Sequence, residues 1–180
     1  MYEELQSGIY ESSFCMKEDF LIEEANTGNA DAMYLLAKLY WKDDQIDKAF
    51  NWFTKASEKN QADATYCLGN FYCHPTGWGV VESSNENAFL CYAKAAELGS
   101  ALAIYELGYQ YLQGIIVEKD IEKAIELLNK AAELEVPEAY WWLAKCFEYG
   151  TGVEKDMKKA LKFAYQAYSL LQDENEINQI

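Results

Sequence analysis

The sequence predicts an all-α fold, a solenoid of antiparallel helix pairs stacked side by side. Three observations predict it. Alanine returns at matching places four times, at Ala49, Ala88, Ala124 and Ala160, each followed seven residues later by a second, at Ala56, Ala95, Ala131 and Ala167. After the first three pairs a third alanine follows eight residues on, at Ala64, Ala103 and Ala139. The whole figure recurs about every 36 residues, the period of a helix–turn–helix unit that buries its apolar face only against its neighbours. The 2 prolines and most of the 10 glycines fall between or at the ends of the helical stretches.

Taken in order, Phe14 to Gly28 reads as a second helix whose partner would have to come from Met1–Ile9. The next helix carries Ala30, Ala32, Tyr34, Leu36, Ala37 and Tyr40, then turns at Asp43–Asp44–Gln45 without a glycine. Its counterparts carry Ala62, Ala64, Tyr66, Leu68, Gly69 and Tyr72, then Ala101, Ala103, Tyr105, Leu107, Gly108 and Tyr111. The last of the series has Ala139, Trp141, Leu143, Ala144 and Phe147 in step. Small residues recur where helices must approach to about 8–10 Å, and large ones fill the space between. Gly77–Trp78–Gly79, Gly114 and Gly150–Thr151–Gly152 end first helices, Gly28 and Gly99 end second ones, and Pro137 suits a first helical turn. Asp120 and Asp156 stand at N-caps, and Ser83 with Glu86 spells a capping box. The stretch Cys73–Asn85 is three residues longer than its equivalents, and Asp173–Ile180 is a polar tail expected to fray. The expected organisation is one domain over 1–180. It comprises a half-repeat cap (1–28), repeats at 29–60, 61–99, 100–135 and 136–171, and a tail (172–180).

Composition bounds the partners. The formal net charge is −15, every one of the 15 cationic residues is lysine, and the acids are spread along the chain. Such a field disfavours nucleic acid and anionic membrane, both of which need cationic contacts to phosphate. It complements a cationic protein, although solubility alone also accounts for acidic surfaces. Five cysteines, odd in number and at no shared repeat position, read as free thiols of a reducing compartment. The N-terminus lacks a signal-peptide pattern, and no run approaches the ~18 apolar residues of a membrane span. The expected location is cytoplasmic.

The pattern A-x-A-x-Y-x-L-G-x-x-Y, a glycine turn, then D-x-x-x-A and A-A resembles the Sel-1-like repeat family, a branch of the tetratricopeptide-like helical repeats. Ala103, Tyr105, Leu107, Gly108, Tyr111, Gly114, Asp120, Ala124, Ala131 and Ala132 carry it most fully. The likeness extends over about residues 17–170 and implies a right-handed α/α superhelix. It also implies work as an adaptor, a host-interaction protein or an immunity protein. One secreted branch has paired cysteines and is credited with binding β-lactams, a pairing that this sequence lacks.

In stacks of this kind the first helix of each pair lines the concave face. With Ala64, Leu68 and Tyr72 taken as buried, the helical period places Asp63 and Phe71 opposite. The corresponding positions elsewhere are Asp31, Leu35, Leu39, Glu106, Tyr109, Glu138, Trp142 and Tyr149. Aromatic and aliphatic anchors ringed by acids suit a basic, partly apolar protein. Burial of some of these residues by the superhelical twist is the competing explanation of the same stripe.

Chemistry has little to stand on. His74 is the sole histidine and adjoins Cys73, but neighbours on a helix point about 100° apart, too divergent for a nucleophile pair. No zinc pattern is present, the two G-x-G stretches follow no strand, and no catalytic residue, cofactor or metal is expected. The reading is a non-catalytic protein-binding module. The alternatives are an immunity protein or inhibitor of a cationic toxin or effector and, from another class, a β-lactam-binding enzyme.

Overall fold

A computed structural model describes residues 18–177, with side chains to 172, and holds no strand among them. The described part of α1 covers residues 18–26. There follow α2 (Ala30–Lys42), α3 (Ile46–Glu58), α4 (Ala62–Cys73), a single 3-10 turn at Gly77–Gly79, and α5 (Asn85–Glu97). The remainder is α6 (Ala101–Gln113), α7 (Ile121–Glu133), α8 (Pro137–Tyr149) and α9 (Met157–Ile177). The expectations for Met1–Ile9, Cys15 and the last three residues lie outside the described part.

The chain forms two compact units, one reaching to Cys91 and the other beginning at Tyr92. In the first, α2 and α3 pack as a pair and α4 lies against α3. Its core is Leu36, Ala37, Ala49, Phe53, Ala56, Ala64, Leu68 and Phe71. In the second, α6 pairs with α7 and α8 with α9, around Ile104, Leu128, Leu143 and Cys146. All nine alanines of the three complete triplets have no measurable exposure. Gly108 shows why these positions stay small. A Cβ there would stand 3.1 Å from Leu128 Cγ and 3.2 Å from the Leu128 backbone nitrogen, so α6 and α7 touch through backbone.

Capping follows one rule with one correction. Asp120 accepts the Lys123 N–H at 3.0 Å, and Asp156 accepts those of Lys158 and Lys159 at 2.9 and 3.0 Å. Each of these aspartates also donates its own N–H back to the preceding first helix, to Tyr111 and Phe147 carbonyls. The expected box at Ser83 and Glu86 is displaced by one residue. Ser84 is the cap, accepting the Asn87 N–H at 3.2 Å, and its own N–H reaches the Tyr72 carbonyl at 2.9 Å. Ser83 is instead occupied in donating its hydroxyl to that same carbonyl at 3.2 Å. Ser84, Asp120 and Asp156 therefore share one repeat position, and the three added residues lie between Tyr72 and Ser84.

Two faces differ from the sequence-based phase. Phe71, expected on the open side, is 1% exposed, while Tyr72 is half-buried. The Phe71 ring packs edge-on against Trp41 and Phe50 at 5.0 and 5.1 Å, and lies 6.2 Å from Phe53. Trp141, expected to be in step with the core, is 46% exposed.

Four described turns use a left-handed residue that is not glycine: Asp44, Asn60, Trp78 and Glu135, at φ 58°, 62°, 56° and 60°. Glu135→Gly should relieve that backbone and raise stability by about 0.5 kcal/mol in urea unfolding. Gly152→Ala should do the reverse, since φ is +69° and the new methyl would collide with Ile121 Cγ2. The expected loss is about 2–3 kcal/mol, or roughly 5–10 °C in Tm.

Candidate functional site

The second unit holds the better-formed surface. Tyr105 and Tyr109 stand one turn apart on α6 and stack at 6.4 Å, and Trp142 of α8 leans on Tyr109 at 5.2 Å. The Trp142 indole also hydrogen-bonds the Tyr105 hydroxyl, which fixes the ring across the two helices. Burial is the main cause that raises the Tyr105 phenol to about 12, with Glu106 and Glu138 adding to it. Glu106 follows Tyr105 on α6 and is half-buried. Burial pushes its carboxyl above the usual glutamate range, and the Gln110 amide, donating at 2.8 Å, offsets part of that rise. Gln110 is itself 3% exposed, and its buried carbonyl oxygen makes no hydrogen bond.

Trp141 crosses Trp142 edge-on at 4.9 Å and divides two shallow grooves. One, of about 150 Å³, runs between the indoles, Pro137, Glu138, Ala167 and Leu171. The other, of about 230 Å³, includes Tyr149, Lys119 and Lys145. There the Lys145 ammonium already lies 5.5 Å from the rings of Trp141 and Tyr149 and pairs with Glu148 at 2.9 Å. The groove beside Glu138 is therefore the more acidic of the two.

In the first unit the structure joins only part of the expected set. Gln61 caps α4 by accepting the Ala64 N–H at 2.6 Å and donates to Asp31 at 3.4 Å. Asp63 acts on the Tyr34 phenol, which burial raises to about 12 with Cys67 and Asp63 contributing. Leu35 is exposed, Leu39 is partly buried against the core, and Phe71 belongs to the core itself. The expected open stripe is thus interrupted at Phe71. Trp141 is a second residue that the sequence pattern misplaces. Adjacent tryptophans on one helix cannot both face inward, and that was the available signal.

Thiol chemistry is disfavoured. Burial drives the Cys67 thiol to about 12 and raises that of Cys146, so neither supplies a thiolate near neutral pH. The Cys73–His74 neighbours are not engaged with one another either. The His74 ring stacks on Trp78 at 4.0 Å, its Nδ1 is 3.0 Å from the Thr76 hydroxyl, and Trp78 packs edge-on against Trp41 at 5.0 Å. The enlarged loop is thereby folded onto α2. Cys67, Cys73, Cys91 and Cys146 are free thiols, and no cluster suited to a metal occurs among the described residues. No described helix is long and apolar enough to cross a membrane.

Glu106 gives this surface a pH signature. The folded carboxyl holds its proton to higher pH than the unfolded one. Its contribution to stability is therefore full below the ordinary glutamate range and lost as pH rises through the elevated value. Glu106→Gln keeps an acceptor for Gln110 and removes the charge. The variant should be at least as stable as the parent at pH 7, with the difference closing by about pH 4, as thermal unfolding across pH would read.

Comparison with known proteins places this geometry. The family model for the Sel1 repeat matches four times, at residues 30–61, 62–100, 101–136 and 137–170. A Sel1 repeat protein from Oxalobacter formigenes superposes with a TM-score of 0.77 at 26% identity, over 93% of this chain and 69% of that one. The antigen c5321 of uropathogenic Escherichia coli, described as protective and as having an SLR fold, gives 0.73 at 26% identity. That match covers 84% of this chain, which spans about a third (33%) of the antigen. Cysteine rich protein B of Helicobacter pylori gives 0.51 at 28% identity, over 68% and 86%. A search of curated proteins returns no match.

Proposed function

This chain belongs to the Sel1 repeat family, whose members are generally modules that bind other proteins, and on that premise we propose that its first helices hold a cationic, partly apolar polypeptide. The observation that carries this reading is Glu106. A half-buried carboxylate beside Tyr105, hydrogen-bonded to a neutral amide, is costly in the isolated protein. A lysine or arginine delivered by a partner would relieve that cost, and the aromatic faces would hold its aliphatic stem. Glu138 adds a second acid on α8, and Asp31 and Asp63 with exposed Leu35 repeat the combination on α2 and α4 of the first unit.

The chain-wide charge of −15 favours one narrower reading, an inhibitor or immunity protein that covers the active surface of a basic toxin or effector. A general cytoplasmic adaptor would use the same acids for several partners. Capture of one basic protein would support the narrower reading, and capture of many would support the general one.

Trp142→Ala and Tyr109→Ala should each weaken partner capture at least tenfold, about 1.4 kcal/mol, while leaving the helical circular dichroism in place. Raised salt should release the partner from the parent protein. Undiminished capture by both variants would remove α6 and α8 from the binding surface.

A further inference from the structure

Trp141 stands at the place in α8 that Tyr105 holds in α6, two residues after the alanine that the units share, Ala139 and Ala103. In α6 that place is met by the chain itself. There α7 stops at Glu133, and α8 brings the Trp142 indole to the Tyr105 hydroxyl. The last pair differs. α9 passes the matching residue, Ser169, and stays helical to Ile177, so the chain does not turn back across Trp141 at that point. A groove of about 150 Å³ lies there between α8 and α9, walled by Trp141, Trp142, Pro137, Ala167 and Leu171, with Glu138 beside them. A cavity of that size takes a group of about benzene's bulk, which is one side chain and not a helix.

Charge selects the occupant. Glu138 is the one ionisable residue among the groove's described lining. Its first-turn position sets it beside the positive end of α8, but that partial charge is about half a unit and leaves the site negative. An apolar side chain from a partner would strip water from the carboxylate without replacing it. An acidic one would be repelled. A basic side chain lays its methylenes on the apolar walls, its charge over an indole and its N–H groups toward Glu138. The other flank of Trp141 shows that combination already made. There the Lys145 ammonium is 5.5 Å from the Trp141 ring and 2.9 Å from Glu148. In the first unit Lys55 likewise stands 3.9 Å over the Trp52 ring. Arginine suits the groove better than lysine, because its planar head stacks on a ring and gives a carboxylate two donors at once.

We propose that the groove between α8 and α9 seats one arginine side chain of a protein partner, stacked on Trp141 and paired with Glu138. The inference rests on the reading that the first helices take a cationic polypeptide, and it names the side chain that enters and the place where it does. A single contact of this kind is weak by itself and acts within the larger surface.

Nuclear magnetic resonance of the isotope-labelled chain, titrated with acetyl-arginine amide to about 50 mM, tests the proposal. The indole N–H signals of Trp141 and Trp142, assigned with Trp141→Phe and Trp142→Phe, should move and saturate with a Kd on the order of 10 mM. Those of Trp41, Trp52 and Trp78 should stay in place. Glu138→Gln, at an exposed position and so compatible with folding, should weaken binding at least about fivefold. Acetyl-lysine amide should bind at least about threefold more weakly than the arginine compound, and the neutral, isosteric citrulline amide should not saturate. Equal movement of all five indoles, equal binding of the citrulline compound or indifference to Glu138→Gln would overturn the seat. Lysine binding as tight as that of arginine would overturn the choice of side chain. Unmoved Trp141 and Trp142 signals would overturn the seat as well. If Trp142→Ala and Tyr109→Ala still lost partner capture in that case, the broader reading would stand without it.

Discussion

Backbone-close packing at a few small residues is the constraint on which the rest depends. Helix pairs can lie this near only if the facing residue has almost no side chain. Gly108 against Leu128, and the fully buried alanines of the three complete triplets, are those residues. Near contact replaces bulk apolar burial with dense dispersion contact, which is lost steeply when a gap of even 1 Å opens. It also fixes the rotation of each helix about its axis. Once Ala124 and Ala131 must face inward, Ile125 and Ala132 are carried to the side where the next pair packs. The faces left to solvent are decided by the alanines, long before any partner is considered.

The turns obey the same geometry at lower cost. Ser84, Asp120 and Asp156 each cap a second helix and return an N–H to the carbonyl of the first, so the connection is tied at both ends. The three extra residues between Tyr72 and Ser84 leave that tie intact. They are taken up by the turn at Gly77–Gly79, where Trp78 at φ 56° lays its indole against Trp41 and beneath His74. An insertion with the length to loosen the unit is turned into extra aromatic packing.

Much of the architecture was legible because its signals are local or periodic. The alanine spacing, the glycines that cap α6 and α8, Pro137 at the start of α8 and the aspartate caps all stand in the structure as the sequence implies. The phase of the first helices was less legible, for a physical reason. A first helix is packed on two sides, by its own partner and by the second helix before it, so apolar residues occupy more than one face and the period alone does not say which is open. Phe71 is drawn inward by Trp41, Phe50 and Phe53, three residues from two other helices that no local pattern ties to position 71. The Ser83 assignment failed similarly, because the Tyr72 carbonyl is a tertiary competitor for its hydroxyl. The acids of the surface were visible as residues. That Glu106 is half-buried, with its charge disfavoured, required the third dimension.

The two surfaces that result are chemically distinct because they come from different halves of the repeat. First helices present acids beside aromatic rings, the combination that we propose takes a cationic group. The face of α9 presents exposed apolar residues, Met157, Leu161, Tyr165 and Tyr168. The small-residue constraint explains why the surfaces can differ so completely. Each alanine pins only the inward side of its helix, and the opposite side of every first helix and of α9 is free to carry a chemistry of its own.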